Sequence, residues 1–153
     1  MKLFPWQKEK EYFSAEEKAR IHEAIRLAEQ RTSGEVRLFI ESKCKYVNAL
    51  DRAKELFFQL QMDKTVDRNA SLIYIAMKDR QAAVFGDEGI HQRVGQKYWE
   101  EEINKMLLNF KEQHIVDGIC QCIADIGDAL HQHFPYDRVT DKNELPDDIV
   151  FGK

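Results

Sequence analysis

Five side chains with hard oxygen donors, Glu35, Asp67, Asn69, Asp87 and Glu88, stand in three short polar stretches of a 153-residue chain, each beside a glycine or an arginine. Carboxylate and amide oxygens are the ligands that Ca²⁺ and Mg²⁺ take. Carboxylates gathered together repel one another unless a cation or an arginine compensates them. Asp87, Glu88, Glu35 and Asp67 are therefore the candidate metal donors, with Ca²⁺ or Mg²⁺ the candidate ion, and Arg68, Asn69, Gly86 and Gly89 are candidate ligand-binding positions around them. Arg68 is also a candidate for the compensating charge itself. A plainer alternative makes Asp87 the cap of the helix that follows, worth about 0.5–2 kcal/mol. Glu88 then sits favourably at the helix dipole, and Gly86 and Gly89 supply the positive φ of a turn.

No established catalytic signature accompanies these residues. The chain has no G-x-x-x-x-G-K-[ST] phosphate loop, no G-x-G-x-x-G after a strand, no G-x-S-x-G nucleophile elbow and no H-E-x-x-H zinc helix. Asp63-Lys64-Thr65 matches the opening of an aspartyl-phosphate motif, yet Val66 stands where that turn needs glycine and no apolar strand leads into it. Asp63, Asp67 and Asn69 miss the EF-hand spacing. His131 and His133 lie two apart on an expected helix, about 200° around its axis, so they cannot ligate one metal from it. They read as solvated or end-capping. Cys44, Cys120 and Cys122 are an odd set without a C-x-x-C pair and read as reduced thiols.

The elements that must position the acidic residues follow from patterning. Ser14 and Glu17 form an S-x-x-E capping box, and Ile21, Ala24, Ile25 and Ala28 recur behind it, which predicts a helix from about Ala15 to Arg31. Thr32-Ser33-Gly34 ends it, and Glu35 to Glu41 alternates as a strand with Val36, Leu38 and Ile40 on one side. Ala49, Ala53, Leu56, Phe57 and Leu60 mark a second helix. Leu72 to Met77 is an apolar run of the kind found at a sheet centre. Lys78-Asp79 allows only a tight turn before Ala82 to Phe85, so strands two and three should form an antiparallel hairpin. Two long helical patterns follow, from Trp99 to Phe110 and from Ile115 to Leu130, the second stopped by Pro135. One βαβ unit, one hairpin and helices enough for both faces imply an α/β fold, a three-layer α/β/α sandwich with a small mixed sheet. Residues 1–153 read as a single domain, with 137–153 a charged tail docked by Ile149, Val150 and Phe151.

That topology brings the acidic residues together. An antiparallel hairpin lays Gly86-Asp87-Glu88-Gly89, at the end of strand three, beside Asp67-Arg68-Asn69, at the start of strand two. A first strand parallel to the second delivers Ser33-Gly34-Glu35 to the same sheet edge. Open α/β sheets usually bind ligands at the opposite edge, outside the carboxyl ends of parallel strands. Here that edge spans Ser42 to Asn48 and Met77 to Asp79 and offers the sparser pair Cys44 and Asp79, so the acidic edge is preferred.

A net charge of −4, with charged residues spread along the chain, counts against a phosphate-backbone grip and hence against nucleic acid as the partner. The mean hydropathy of −0.58 accompanies the lack of any apolar run near the 18 or so residues of a membrane span. Met1 to Trp6 carries no signal-peptide core, so a cytoplasmic chain is the expectation.

Thr32 to Arg37, Thr65 to Asn69 leading into Leu72 to Ala76, Phe85 to His91 and the tail Asn143 to Ile149 resemble the TPM-domain family, also called the TPM phosphatase family. The resemblance covers nearly the whole chain. It implies an α/β/α sandwich with a Rossmann-like sheet and, in some members, a divalent cation, often calcium, in an acidic groove. Phosphatase activity has been attributed to a thylakoid-lumen relative that acts in photosystem repair, and an animal relative is described as a receptor-associated membrane protein. Glu35, Asn69, Gly86, Asp87, Glu88 and Gly89 stand at the family's motif positions. The resemblance thus implies a cation-binding domain with weak metal-assisted phosphatase activity on a phosphorylated substrate. The alternative is a non-catalytic module whose protein partner belongs to a complex under assembly or repair. Oligomeric state is not set by either.

Overall fold

A computed structural model describes residues 12–136 and 149–152, so the part of the charged tail from 137 to 148 lies outside the described residues. The order is α1 (Ala15–Gln30), β1 (Glu35–Glu41), α2 (Ala49–Gln59), β2 (Ala70–Ala76), β3 (Gln81–Gly86), α3 (Glu88–Val94), α4 (Gln96–Lys111), α5 (Ile115–His133) and β4 (Ile149–Phe151). The Ser14–Glu17 capping box is formed: Glu17 N donates to Ser14 Oγ and Ser14 N donates to Glu17 Oε1.

The four strands form one mixed sheet in the order β3-β2-β1-β4. β1 pairs parallel with β2, setting Glu35 opposite Ala70, and β2 pairs antiparallel with β3, setting Ser71 opposite Gly86. The hairpin turn is wider than the Lys78-Asp79 pair suggests, taking Met77 to Arg80, with Arg80 at φ 53°. In the tail, Ile149–Phe151 adds an edge strand parallel to β1.

Alternation divides the core between two faces. Val36, Leu38, Ile40, Ile73 and Ile75 pack with Ile21, Ile25, Ile119, Ile123 and Ile126 of α1 and α5, while Phe39, Leu72 and Tyr74 pack with Ala53, Leu56 and Phe57 of α2. The fold is therefore the three-layer α/β/α sandwich implied by patterning. One helix is additional: α3 precedes the first of the two long helices, and Gly95, at φ 82°, separates it from α4.

The α4–α5 contact holds a buried acid. Glu102 is 3% exposed, accepts from Lys105 Nζ at 3.0 Å and faces Asp125 of α5. Burial chiefly, helped by a hydrogen bond with Asp125 and opposed by Lys105, pushes its carboxyl up to about 7. Because the folded value lies above the ordinary 4.5, the stabilisation is complete below pH 4.5 and is lost as pH rises through 7. Glu102→Gln is expected to remove this slope, so that melts at pH 5 and pH 8 differ less than in the wild type by roughly 1–3 kcal/mol. Equal slopes in both proteins would show that Glu102 is charged throughout.

Candidate functional site

The three acidic loops meet at one sheet edge. Asp87 N donates to Ala70 O at 2.9 Å, Gly89 N donates to Arg68 O at 2.8 Å, and Asn69 Nδ2 donates to Ser33 Oγ at 3.3 Å. Glu35, Ala70 and Asp87 therefore lie in one row across β1, β2 and the end of β3, with Glu35 and Asp87 about 10 Å apart at two strand spacings.

Arg68 dominates the corner. At φ 51° its backbone is left-handed, and its guanidinium grips Asp87 through both oxygens, Nε to Oδ2 at 2.7 Å and Nη2 to Oδ1 at 2.8 Å. Its Nη1 stands 3.4 Å from Glu88 Oε1. The bond to Asp87 raises the Arg68 pKa above its ordinary value. Asp87, 2% exposed, also accepts from Glu88 N at 2.8 Å as the N-cap of α3. Both of the simpler readings of Asp87, helix cap and arginine partner, hold at once.

Neither Gly86 nor Gly89 has the positive φ expected of a turn; the reason for both is close approach. A Cβ on Gly86 would stand 2.2 Å from Trp99 Cζ2, and one on Gly89 would stand 2.1 Å from Asp67 O. The Thr65 to Asn69 loop and the first turn of α3 thus pack backbone against backbone.

The donor types suit a hard cation, and Asn69 Oδ1 is buried with no hydrogen-bond partner among the described residues. The arrangement is not a cation cage: among the described residues no three His, Cys, Asp or Glu side chains form a metal-holding group. Asp67 is exposed, Glu35 is buried in its row, and Asp87 is committed to Arg68.

Beside the corner lies a cavity of about 310 Å³, lined by Arg68, Glu88, His91, Trp99, Phe85 and Phe58 among others. Trp99 Nε1 donates to His91 Nδ1 at 2.9 Å, which leaves the proton of the neutral imidazole on Nε2. His91 and Trp99 were not legible as site residues, since they belong to different helices, α3 and α4, that the break at Gly95 brings together.

The opposite edge, read from sequence as sparse, holds a buried ionic network. Arg52 donates through Nε to Glu41 Oε2 at 2.9 Å, through Nη2 to Glu41 Oε1 at 3.1 Å and through Nη1 to Glu55 Oε1 at 2.6 Å. Tyr74 Oη donates to Glu41 Oε2 at 2.5 Å, and Tyr46 Oη donates to Glu55. Its hydrogen bond to Glu41 pushes the Arg52 pKa up, while burial, with Glu41 adding to it, pushes the Tyr74 pKa up. A signal was available: Arg52 interrupts the apolar stripe of α2 three residues after Ala49.

A family model described as TPM domain matches residues 7–129. No curated protein matches the chain. Among solved structures, the NMR structure of the BA42 protein from the psychrophilic bacterium Bizionia argentinensis is 37% identical, with a TM-score of 0.84, covering 95% of this chain and 99% of that one. The N-terminal domain of a P. gingivalis protein matches at 12% identity and TM-score 0.62, covering 82% of this chain and 83% of that one. The N-terminal domain of the cg2496 protein from Corynebacterium glutamicum matches at 11% and 0.59, covering 89% and 81%. These last two show likeness of fold alone.

Proposed function

Because this chain belongs to the TPM-domain family, we propose that it is a divalent-cation-binding domain that works by exchange, Ca²⁺ or Mg²⁺ taking the charge-compensating place of the Arg68 guanidinium. Asp87, Glu88, Asp67 and Glu35 would hold the ion. The observation that carries this reading is the asymmetry of the ion pair: Asp87 is 3% exposed and its partner Arg68 is 37% exposed. A half-exposed guanidinium is readily rehydrated when it leaves, whereas a buried carboxylate demands a replacement charge. A bound ion supplies Lewis-acid charge to a phosphate oxygen. Arg68, once released, presents a fork suited to two oxygens of the same phosphate. Weak phosphomonoester hydrolysis is the enzymatic form of this proposal.

Exchange makes an unusual demand on mutants. Arg68→Met removes the competing internal cation and is expected to tighten Ca²⁺ or Mg²⁺ binding roughly tenfold, the size of one charge-assisted hydrogen-bond pair. Asp87→Asn is expected to abolish it. Titration of chelator-stripped protein, followed by backbone amide NMR, should move Gly34 and Glu35, Asp67 to Asn69 and Gly86 to Gly89 together. Silence at millimolar cation in both the wild type and Arg68→Met would overturn the proposal. Hydrolysis of a generic phosphomonoester at equal rates by the wild type and Asp87→Asn would remove the enzymatic form alone. A non-catalytic module for a protein partner is the second reading, favoured by the cavity with Phe58, Phe85 and Trp99 in its wall.

A further inference from the structure

We propose that the cavity beside the acidic corner is a binding site for a small organic cation, an ammonium ion carried on an aromatic body; this does not rest on the corner holding a metal ion. The cavity lies where the end of β3 passes between two helical walls, with Phe58 of α2 on one side and His91 of α3 and Trp99 of α4 on the other. Its volume of about 310 Å³ is at the lower end of the range that small-molecule sites occupy.

The walls suit an aromatic body. Phe58 and Phe85 have ring centroids 6.1 Å apart and planes inclined by 60°, so a ligand ring can stack on one while it meets the other edge-on. Phe58 is 44% exposed, and covering it removes apolar area from water. The far wall is fixed in advance. Trp99 Nε1 donates to His91 Nδ1, and the indole lies so close to Gly86 that a Cβ there would stand 2.2 Å from Cζ2.

Charge selects a cation as the occupant. Asp87 is buried and joined through both oxygens to Arg68, so that pair is neutral. His91 accepts from Trp99 through Nδ1 and is therefore the neutral imidazole. Among the described residues of the lining this leaves Glu88, its side chain 62% exposed, as the unbalanced charge, 3.4 Å from a guanidinium that Asp87 already satisfies. An ammonium at the Glu88 end, with its ring on Phe58 and Phe85, meets both features at once. A ligand carboxylate reaches Arg68 only by displacing Asp87 or Glu88.

The test is a backbone amide NMR titration in chelator with probes that share a phenylethyl body: phenethylammonium, phenethyl alcohol and hydrocinnamate. Shifts are expected at Phe85, Gly86, Glu88 and His91, with the ammonium binding about fivefold more tightly than the alcohol and the carboxylate binding most weakly. Glu88→Gln should bring the ammonium to the level of the alcohol and leave the alcohol unchanged. Phe58→Leu keeps an apolar wall but removes the ring, and should weaken the ammonium and the alcohol alike by about threefold. Both substitutions fall on exposed side chains, and an amide spectrum unchanged away from the cavity confirms that each variant is folded. Absence of shifts at millimolar probe, equal binding of the three, preference for the carboxylate, or an ammonium indifferent to Glu88→Gln overturns the proposal. So do shifts confined to another part of the domain. With chelator present throughout, none of these outcomes touches the divalent-cation reading, which the Ca²⁺ and Mg²⁺ titration decides separately.

Discussion

Arg52→Ala is expected to destabilise the domain by about 3–5 kcal/mol, the range for stranding one member of a buried ion pair. Arg52 and Glu41 are 8% and 6% exposed, and Arg52 supplies two of the hydrogen bonds that Glu41 accepts, the third coming from Tyr74. Removing the guanidinium leaves a carboxylate between β1 and α2 with only a phenol to solvate it. On the scaling for a domain of this size the melting temperature falls by roughly 10 °C or more. Glu41→Gln alone should also destabilise, since it leaves the buried Arg52 with the part-exposed Glu55 as its carboxylate. Glu41→Leu with Arg52→Leu should recover most of the loss, because two apolar groups need no solvation in the α2 layer. Urea denaturation of the four proteins checks this, and a loss below about 1 kcal/mol in Arg52→Ala would mean that water reaches Glu41.

Gly89→Ala is expected to cost about 3 kcal/mol or more, the upper end of overpacking. Its Cβ would meet two backbone carbonyls, Asp67 O at 2.1 Å and Arg68 O at 2.6 Å, and neither belongs to a side chain that can rotate away. The loop from Thr65 to Asn69 must lift from α3, which lengthens the Gly89 N to Arg68 O bond and carries Arg68 off Asp87. Gly95→Ala is the control. A Cβ there meets nothing within 4 Å among the described residues but must adopt φ 82° with ψ 167°, a region left almost entirely to glycine, so conformational strain of about 1–3 kcal/mol is its whole effect. Thermal melts should rank Gly89→Ala below Gly95→Ala. The reverse order would show that the corner yields easily and that close approach does not hold it.

The acidic corner was legible as a place before it was legible as an arrangement. A hairpin and one parallel pairing suffice to bring Glu35, Asp67 and Asp87 to one edge, and the register sets them there. The partner of Asp87 was not legible, because the choice between a metal ion and Arg68 depends on a left-handed φ at Arg68 and on guanidinium reach. Gly86 and Gly89 were recognisable as constrained positions, yet the constraint is contact with Trp99 and with the Asp67 carbonyl, both distant along the chain. The Arg52–Glu41 network left a visible trace, an arginine in an apolar stripe, whose meaning required the facing strand.

The sequence by itself determined the capped first helix, the strand–helix–strand unit, the central hairpin and the division of apolar residues between two faces. These follow from local periodicity and steric preference, which act between residues a few positions apart. Tertiary structure decided what the polar residues do. It chose Arg68 for Asp87, gave Glu41 to Arg52, separated α3 from α4 at Gly95 and placed β3 at the end of the sheet. Burial makes each buried charge seek whichever opposite charge folding brings within hydrogen-bond reach, and that distance is set by packing among elements far apart in the chain.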